Sequence, residues 1–176
     1  LCEKAIGLDA EYVAHSGKVL KARGPIDVGG CTAAERRALR PTATAILYKR
    51  KSGKPELRVT AKKAKNGVRL KSVRVTLPSS LKGSPKGARR GLRVTAAGKR
   101  ISRKSWKVTG KSMTITLPKT GRSTVILIAR KGAVKPSKKL RTSKKAPKVR
   151  LRVALTDTDN RKFSLRVAVK MRTKRK

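Results

Sequence analysis

Six stretches of this chain alternate apolar and polar side chains with a period of two, and that pattern narrows the fold first. Leu57, Val59 and Ala61 alternate with Arg58, Thr60 and Lys62. Val73, Val75 and Leu77 alternate with Arg74 and Thr76, and Leu92, Val94 and Ala96 with Arg93 and Thr95. Met113, Ile115 and Leu117 alternate with Thr114 and Thr116. Val149, Leu151, Val153 and Leu155 alternate with Arg150 and Arg152, and Phe163, Leu165, Val167, Val169 and Met171 with Arg166, Lys170 and Arg172. Successive side chains of a strand point to opposite faces, so each run predicts a strand with one buried and one wet face. Val125-Ile126-Leu127-Ile128 is apolar on both faces and predicts a central strand. Lys51-Ser52-Gly53-Lys54-Pro55, Asn66-Gly67, Ala97-Gly98, Thr109-Gly110 and Lys119-Thr120-Gly121 separate the runs, and Asn-Gly is a hairpin signal. Seven to nine short strands at this spacing predict an antiparallel sandwich or barrel.

Charge constrains partners rather than fold. Residues 57 to 156 hold no aspartate or glutamate, but 31 lysines and arginines. The whole chain is formally +42 over 176 residues. A field of that size points to polyanions: nucleic acid, anionic wall polymer, acidic polysaccharide or an anionic membrane face. Extreme charge often means disorder. Here 37% of residues are apolar and periodically placed, so a core of branched aliphatics is available.

The N-terminal region differs. Residues 1–31 hold four of the eight acids, Glu3, Asp9, Glu11 and Asp27, and glycines punctuate short apolar pieces. They predict short strands and turns. The two cysteines, Cys2 and Cys31, bracket this segment. A disulfide between them would close a loop worth on the order of 3–4 kcal/mol and would imply an oxidising compartment. Two cysteines and one histidine do not fill a tetrahedral zinc site. Thr32-Ala33-Ala34-Glu35 is a capping box, Arg36 to Arg40 continue it, and Pro41 stops it; this is the one stretch that reads as helix. The predicted organisation is therefore a disulfide-closed β and turn segment (1–31), a short helix and linker (32–41), and a basic β-sandwich (42–173). A flexible basic loop (131–148), rich in Lys, Ser and Pro, interrupts the sandwich.

Catalytic motifs fail on inspection. Gly110-Lys111-Ser112 ends like a phosphate-binding loop, but Ser105 stands where the first glycine is needed. Asp157-Thr158-Asp159-Asn160 starts like a calcium loop, but Arg161 and Lys162 follow and no acid completes the coordination, which predicts a polar turn. His15 sits in His15-Ser16-Gly17-Lys18 with no nucleophile elbow nearby. No enzyme activity and no cofactor are expected. The longest apolar run, Val125 to Ala129, is too short to span a bilayer, so no membrane span is expected.

The outward strand faces carry the functional expectation. Residues i and i+2 lie about 6.6 Å apart on one side of a strand. Arg150 and Arg152 on one strand and Arg166, Lys170 and Arg172 on the next are expected to share one outward face. Lys138, Lys139, Lys144 and Lys145 offer a second, loop-borne set. No helix-turn-helix, zinc finger or aromatic platform is present, so nucleic acid or another polyanion would be bound without sequence preference and with steep salt dependence. Three short repeats recur: Leu-Arg-Val-Thr-Ala at 57–61 and 92–96, Thr-Leu-Pro at 76–78 and 116–118, and Leu-Arg-Val-Ala at 151–154 and 165–168. A small strand vocabulary repeats by chance, and convergence is the expectation.

Tyr12-Val13-Ala14-His15-Ser16-Gly17-Lys18 through Pro25-Ile26-Asp27-Val28-Gly29-Gly30-Cys31 resembles a segment of large secreted surface proteins of high-GC Gram-positive bacteria. Lys71 to Pro78, Gly91 to Arg100 and Thr114 to Lys119 resemble the basic immunoglobulin-like modules that follow it. The helix at 32–40 and the very high charge are not part of that resemblance. It implies export, an immunoglobulin-like β-sandwich and an extracellular or cell-surface site. The expectation is thus a mainly β, antiparallel immunoglobulin-like sandwich with one short helix, non-catalytic and binding extracellular DNA or an anionic wall polymer. A cytosolic ribosomal or nucleoid-type protein would instead keep its cysteines reduced, and a subunit of a surface fibre, a homo-oligomer, would form polymers.

Overall fold

A computed structural model describes residues 6–13, 16, 19–26, 40–49, 55–137, 140 and 148–173. The chain divides into two compact units, Leu1–Leu39 and Arg40–Lys176. In the first, strands β1 (Ile6–Val13) and β2 (Val19–Ile26) form an antiparallel ladder running from Ile6 opposite Ile26 to Val13 opposite Val19. Val13 and Val19, at the tip, are exposed. Cys2, Cys31, His15 and the expected helix at 32–40, apart from Arg40 itself, lie outside the described residues.

The second unit is an antiparallel-dominated, immunoglobulin-like β-sandwich. Its strands are β3 (Thr42–Lys49), β4 (Glu56–Lys62), β5 (Leu70–Thr76), β6 (Leu81–Gly83), β7 (Leu92–Ala96) and β8 (Lys99–Arg100). They continue with β9 (Trp106–Val108), β10 (Ser112–Thr116), β11 (Thr124–Ala129), β12 (Val134–Pro136), β13 (Arg150–Asp157) and β14 (Lys162–Thr173). Ten of them form one ladder in the order β8-β7-β11-β4-β3-β14-β13-β5-β10-β9.

The hinge of that ladder is β14. Its first part pairs antiparallel with β13, from Lys162 opposite Thr156 to Ala168 opposite Arg150. From Val169 to Thr173 it pairs parallel with β3. One long strand therefore serves two sheets. The first sheet holds β8, β7, β11, β4, β3 and the end of β14; the second holds the start of β14, β13, β5, β10 and β9. Leu47, Leu57, Val59 and Leu127 from one sheet join Val73, Val75, Ile115, Leu151 and Val153 from the other in a single buried cluster. Each such aliphatic side chain contributes about 1.5–3 kcal/mol when fully buried.

At the far side the chain steps from β8 to β9 through one 3₁₀ turn, Arg103–Ser105. The two ladder ends are thus only two and three residues long and are joined by five residues of chain. Short, linked ends limit edge-to-edge pairing.

The alternating runs fall where the sequence pattern puts them. Leu57, Val59 and Ala61 are buried, as are Val73, Val75 and Leu77, and Met113, Ile115 and Leu117. β11 is interior in its sheet, between β7 and β4. The two Leu-Arg-Val-Thr-Ala copies take equivalent places in the first sheet. Both copies flank β11 in the same register: Leu57 and Leu92 lie opposite Ala129, Val59 and Val94 opposite Leu127, and Ala61 and Ala96 opposite Val125. The rows across β11 are therefore Leu-Ala-Leu, Val-Leu-Val and Ala-Val-Ala, all of them buried.

Two local expectations need correction. Asn66-Gly67 does not close a hairpin. It joins β4 of the first sheet to β5 of the second, because the neighbours of β4 are β3 and β11. The two-residue hairpin turn is Ala97-Gly98, with φ of 48° and 79°, between paired β7 and β8. The segment 131–148 opens as ordered structure: Ala133 and Val134 are fully buried and β12 pairs with β6.

The described helix, α1 (Pro85–Gly91), was not expected. Its start has the right chemistry: Ser84 Oγ accepts from Gly87 N at 3.2 Å and Pro85 holds the first turn. Gly91 is needed for close approach, since a Cβ there would lie 1.9 Å from the Arg130 carbonyl oxygen.

Candidate polyanion-binding face

The second sheet turns an unusual face outward. Ladder register sets its rows. Thr76, Arg152 and Arg166 stand side by side, as do Lys107, Thr114, Arg74, Ala154 and Ser164. A third row is Thr116, Ser72, Thr156 and Lys162, and Arg150 faces Ala168. Arg74, Lys107, Arg150, Arg152, Lys162 and Arg166 are exposed. The other positions of these rows are Ala, Ser or Thr. The face is a set of cations standing above a floor of small and hydroxyl-bearing side chains.

No acid lies in these rows. The nearest carboxylates along the chain are on the β13–β14 turn, and Arg161 takes both. Asp157 is buried; its Oδ2 accepts from Arg161 Nε at 2.8 Å, and its Oδ1 accepts from the backbone N–H of Asp159 and Arg161. Asp159 Oδ2 lies 3.6 Å from Arg161. The stretch 157–160 is therefore a polar turn, as its sequence predicted. Among the described residues no group of His, Cys, Asp and Glu could hold a metal.

Like charges directly opposite each other destabilise a ladder. Arg152 and Arg166 are such a pair. Cross-strand neighbours sit about 5 Å apart and i, i+2 neighbours about 7 Å. Both distances are below the screening length of about 8 Å at physiological salt. The cations feel one another, and a bound anion relieves the repulsion.

The five strand-borne residues singled out from sequence do not all fall on this face. Arg150, Arg152 and Arg166 do. Lys170 and Arg172 are exposed, but they lie beyond the point where β14 changes partner, opposite Ile46 and Tyr48 of β3. They belong to the outer side of the first sheet. Lys138, Lys139, Lys144 and Lys145 lie outside the described residues. Sequence reasoning missed Arg74, Lys107 and Lys162 as members of the face. The alternation marks Arg74 and Lys107 as outward, but only the strand order puts Arg74 on the strand beside Arg152 and Lys107 two strands further along Arg74's row.

The first sheet's outer side handles charge differently. Ile46, Arg58, Ile128 and Arg93 form one row, and Thr44, Thr60, Ile126 and Thr95 the next. The three isoleucines and Arg58 are half-buried. Glu56 is completely buried there, with its Oε2 3.0 Å from Arg130 Nε and its Oε1 3.8 Å from Arg58. The Arg58 guanidinium also stands 5.8 Å from the centre of the Tyr48 ring.

No family model and no curated protein matches the sequence. Solved structures match at low identity and with TM-scores below 0.5. One is BcpA, the major pilin subunit of Bacillus cereus, at 8% identity over 92% of this chain and 47% of that one, with a TM-score of 0.49. A variant of the same subunit matches at 8% identity over 93% and 48%, with a TM-score of 0.48. BslA, a bacterial hydrophobin, matches at 14% identity over 74% of this chain and all of that one, with a TM-score of 0.41. The chain spans about half the length of the pilin subunit. Among the described residues no helix is long and apolar enough to cross a membrane.

Proposed function

We propose that this chain is a non-catalytic, secreted or surface-exposed module that binds polyanions through the outer face of its second sheet. The observation that carries the proposal is the acid-free row geometry. Arg152 and Arg166 stand in register, with Arg74, Arg150, Lys107 and Lys162 around them on a floor of Ala, Ser and Thr. The cations reach a polymer's charges from a regular array, and the small side chains let its backbone approach. Extracellular DNA and anionic wall polymers are the ligands of choice, recognised by charge spacing rather than sequence.

The test is binding to a random-sequence DNA duplex across a salt series, with an anionic polysaccharide as competitor. Binding that survives near-physiological salt and resists the competitor identifies nucleic acid as the partner. Binding that yields equally to any polyanion moves the assignment to the wall polymer. No binding at low salt refutes the proposal.

Export adds a requirement. The β1–β2 ladder brings Ile6 opposite Ile26, so the segments leading to Cys2 and Cys31 leave from the same end of the hairpin. That supports a Cys2–Cys31 disulfide in the exported protein. Two free thiols in freshly isolated native protein would favour a cytosolic packaging role instead.

A further inference from the structure

We propose a discrete oxyanion site, separate from the flat face, in a cleft of about 380 Å³ at one end of the sandwich. Its lining is Lys63, Arg69, Lys99 and Arg122, with Ala96, Ala97, Gly121 and Ser123 between them. Four cations and no acid line a volume that falls in the range of small-molecule sites. The inference rests on the polyanion reading only for the ligand's origin. The cleft's chemistry stands without it.

Three chain segments build the cleft, and each is fixed. The β4–β5 connection supplies Lys63, whose Nζ donates to the carbonyls of Ala64, Lys65 and Gly67 at 3.2, 3.1 and 2.9 Å. That ammonium is held in place as a fixed positive charge on the wall. The β10–β11 connection supplies Arg122. One of its terminal nitrogens, Nη1, donates to Thr120 Oγ1 at 2.9 Å and to the Gly121 carbonyl at 2.8 Å. Those bonds orient the guanidinium and leave Nη2 and Nε for a ligand. The Ala97-Gly98 turn supplies Lys99, on an exposed arm.

The segments are tied to one another. Leu70 and Arg122 exchange both backbone hydrogen bonds, at 2.8 and 2.9 Å, which sets Arg69 beside Arg122. Gly121 has φ of 62°, and a Cβ there would meet Arg69 Cβ at 2.8 Å and Thr158 Cγ2 at 2.7 Å. The neighbouring turn through Thr158 carries Asp157 and Asp159, and Arg161 pairs with both, at 2.8 and 3.6 Å. Arg122 and Lys63 are half-buried, while Arg69 and Lys99 are exposed and able to close over a bound group.

The guanidiniums of Arg122 and Arg69 and the Lys99 ammonium suit a phosphate or sulfate group, with Lys63 adding charge but no free N–H, since its three donors go to carbonyls. The volume admits one or two such groups with a small sugar-sized body, not a duplex. The group could arrive free or as part of an anionic polymer. The two sources share the same oxyanion chemistry.

The experiment is an amide NMR titration of the full chain with sodium pyrophosphate at constant ionic strength, repeated with a short sulfated oligosaccharide. Three proteins are compared: the native chain, a cleft variant (Arg69→Gln, Lys99→Gln, Arg122→Gln) and a face variant (Arg74→Gln, Arg152→Gln, Arg166→Gln). The expected result is saturable shifts at Gly121, Arg122, Ser123 and Ala97, at least about tenfold weaker in the cleft variant and unchanged in the face variant. If only pyrophosphate saturates, the ligand is a free anion; if both do, it is a polymer-borne group. Shifts spread over the sheet without saturation, or saturation that survives in the cleft variant, overturn the site. Loss of polymer binding in the face variant with pyrophosphate binding intact separates this site from the proposed function. A face that binds no polymer beside a cleft that saturates would sink the function and leave the cleft standing.

Discussion

The two outer faces of this sandwich are built from the same vocabulary of Arg, Lys, Thr and Ile or Ala, yet only the first sets a buried carboxylate among its cations. On the first sheet, Arg58 and Arg130 close on the fully buried Glu56, and Ile46, Ile126 and Ile128 are half-buried. On the second, Arg74, Arg150, Arg152 and Arg166 have no ion pair among the described residues and stand in water. The first face turns Arg58 and Arg130 onto a buried carboxylate and leaves Arg93, Arg100, Lys170 and Arg172 exposed, whereas the rows of the second hold no carboxylate. Net charge alone does not reveal this division, because it counts both kinds equally.

Removing Arg130 should test the difference most severely. Arg130→Ala takes from the buried Glu56 carboxylate the guanidinium nitrogen that lies 3.0 Å from its Oε2. Breaking a buried pair from one side costs about 3–5 kcal/mol, which chemical denaturation would register as a lower midpoint. A loss under about 1 kcal/mol would mean the pair is as solvent-screened as a surface bridge, and the contrast between faces would fail.

A smaller effect is expected from the isoleucines. Ile128→Thr should cost about 1 kcal/mol, roughly half the value of a fully buried aliphatic. The converse change on the other face, Thr76→Ile, should move stability by no more than about 0.5 kcal/mol. Equal costs would show that both faces are packed alike.

The smallest effect should have the opposite sign. Arg152→Thr removes a like-charge pair with Arg166, so it should stabilise by a few tenths of a kcal/mol, about the scale of cross-strand pairs. In 1 M salt, where the screening length falls to about 3 Å, the gain should vanish. Destabilisation at low salt would point to a structural role for Arg152.

Much of this architecture was legible in the residues. Alternation marked the strands and their buried faces, since burial of every second side chain is a local property. Partner choice was not legible. Asn66-Gly67 has hairpin chemistry, yet joins two sheets, because the core volume between layers decides where β5 pairs. Lys170 and Arg172 continue the parity of Arg166 without a break, so nothing in β14 announces its change of partner at Val169. Helix α1 was readable in principle from Ser84-Pro85 and the arginines of its last turn, but seven residues carry too weak a period to stand out. The cleft at Arg122 joins positions more than fifty residues apart, and no local pattern predicts it.

The central claim is that the second sheet's face, not total charge, carries polyanion binding. The direct measurement is the salt dependence of DNA affinity for two charge-matched variants. One carries Arg74→Gln, Arg150→Gln, Arg152→Gln and Arg166→Gln; the other carries Arg93→Gln, Arg100→Gln, Lys170→Gln and Arg172→Gln on the first sheet. Each lost phosphate contact should flatten the log–log salt slope by about 0.9. The second-sheet variant should therefore lose roughly three to four units of slope, and the first-sheet variant about one or less. Equal losses in both variants would contradict the account and leave a generic basic surface.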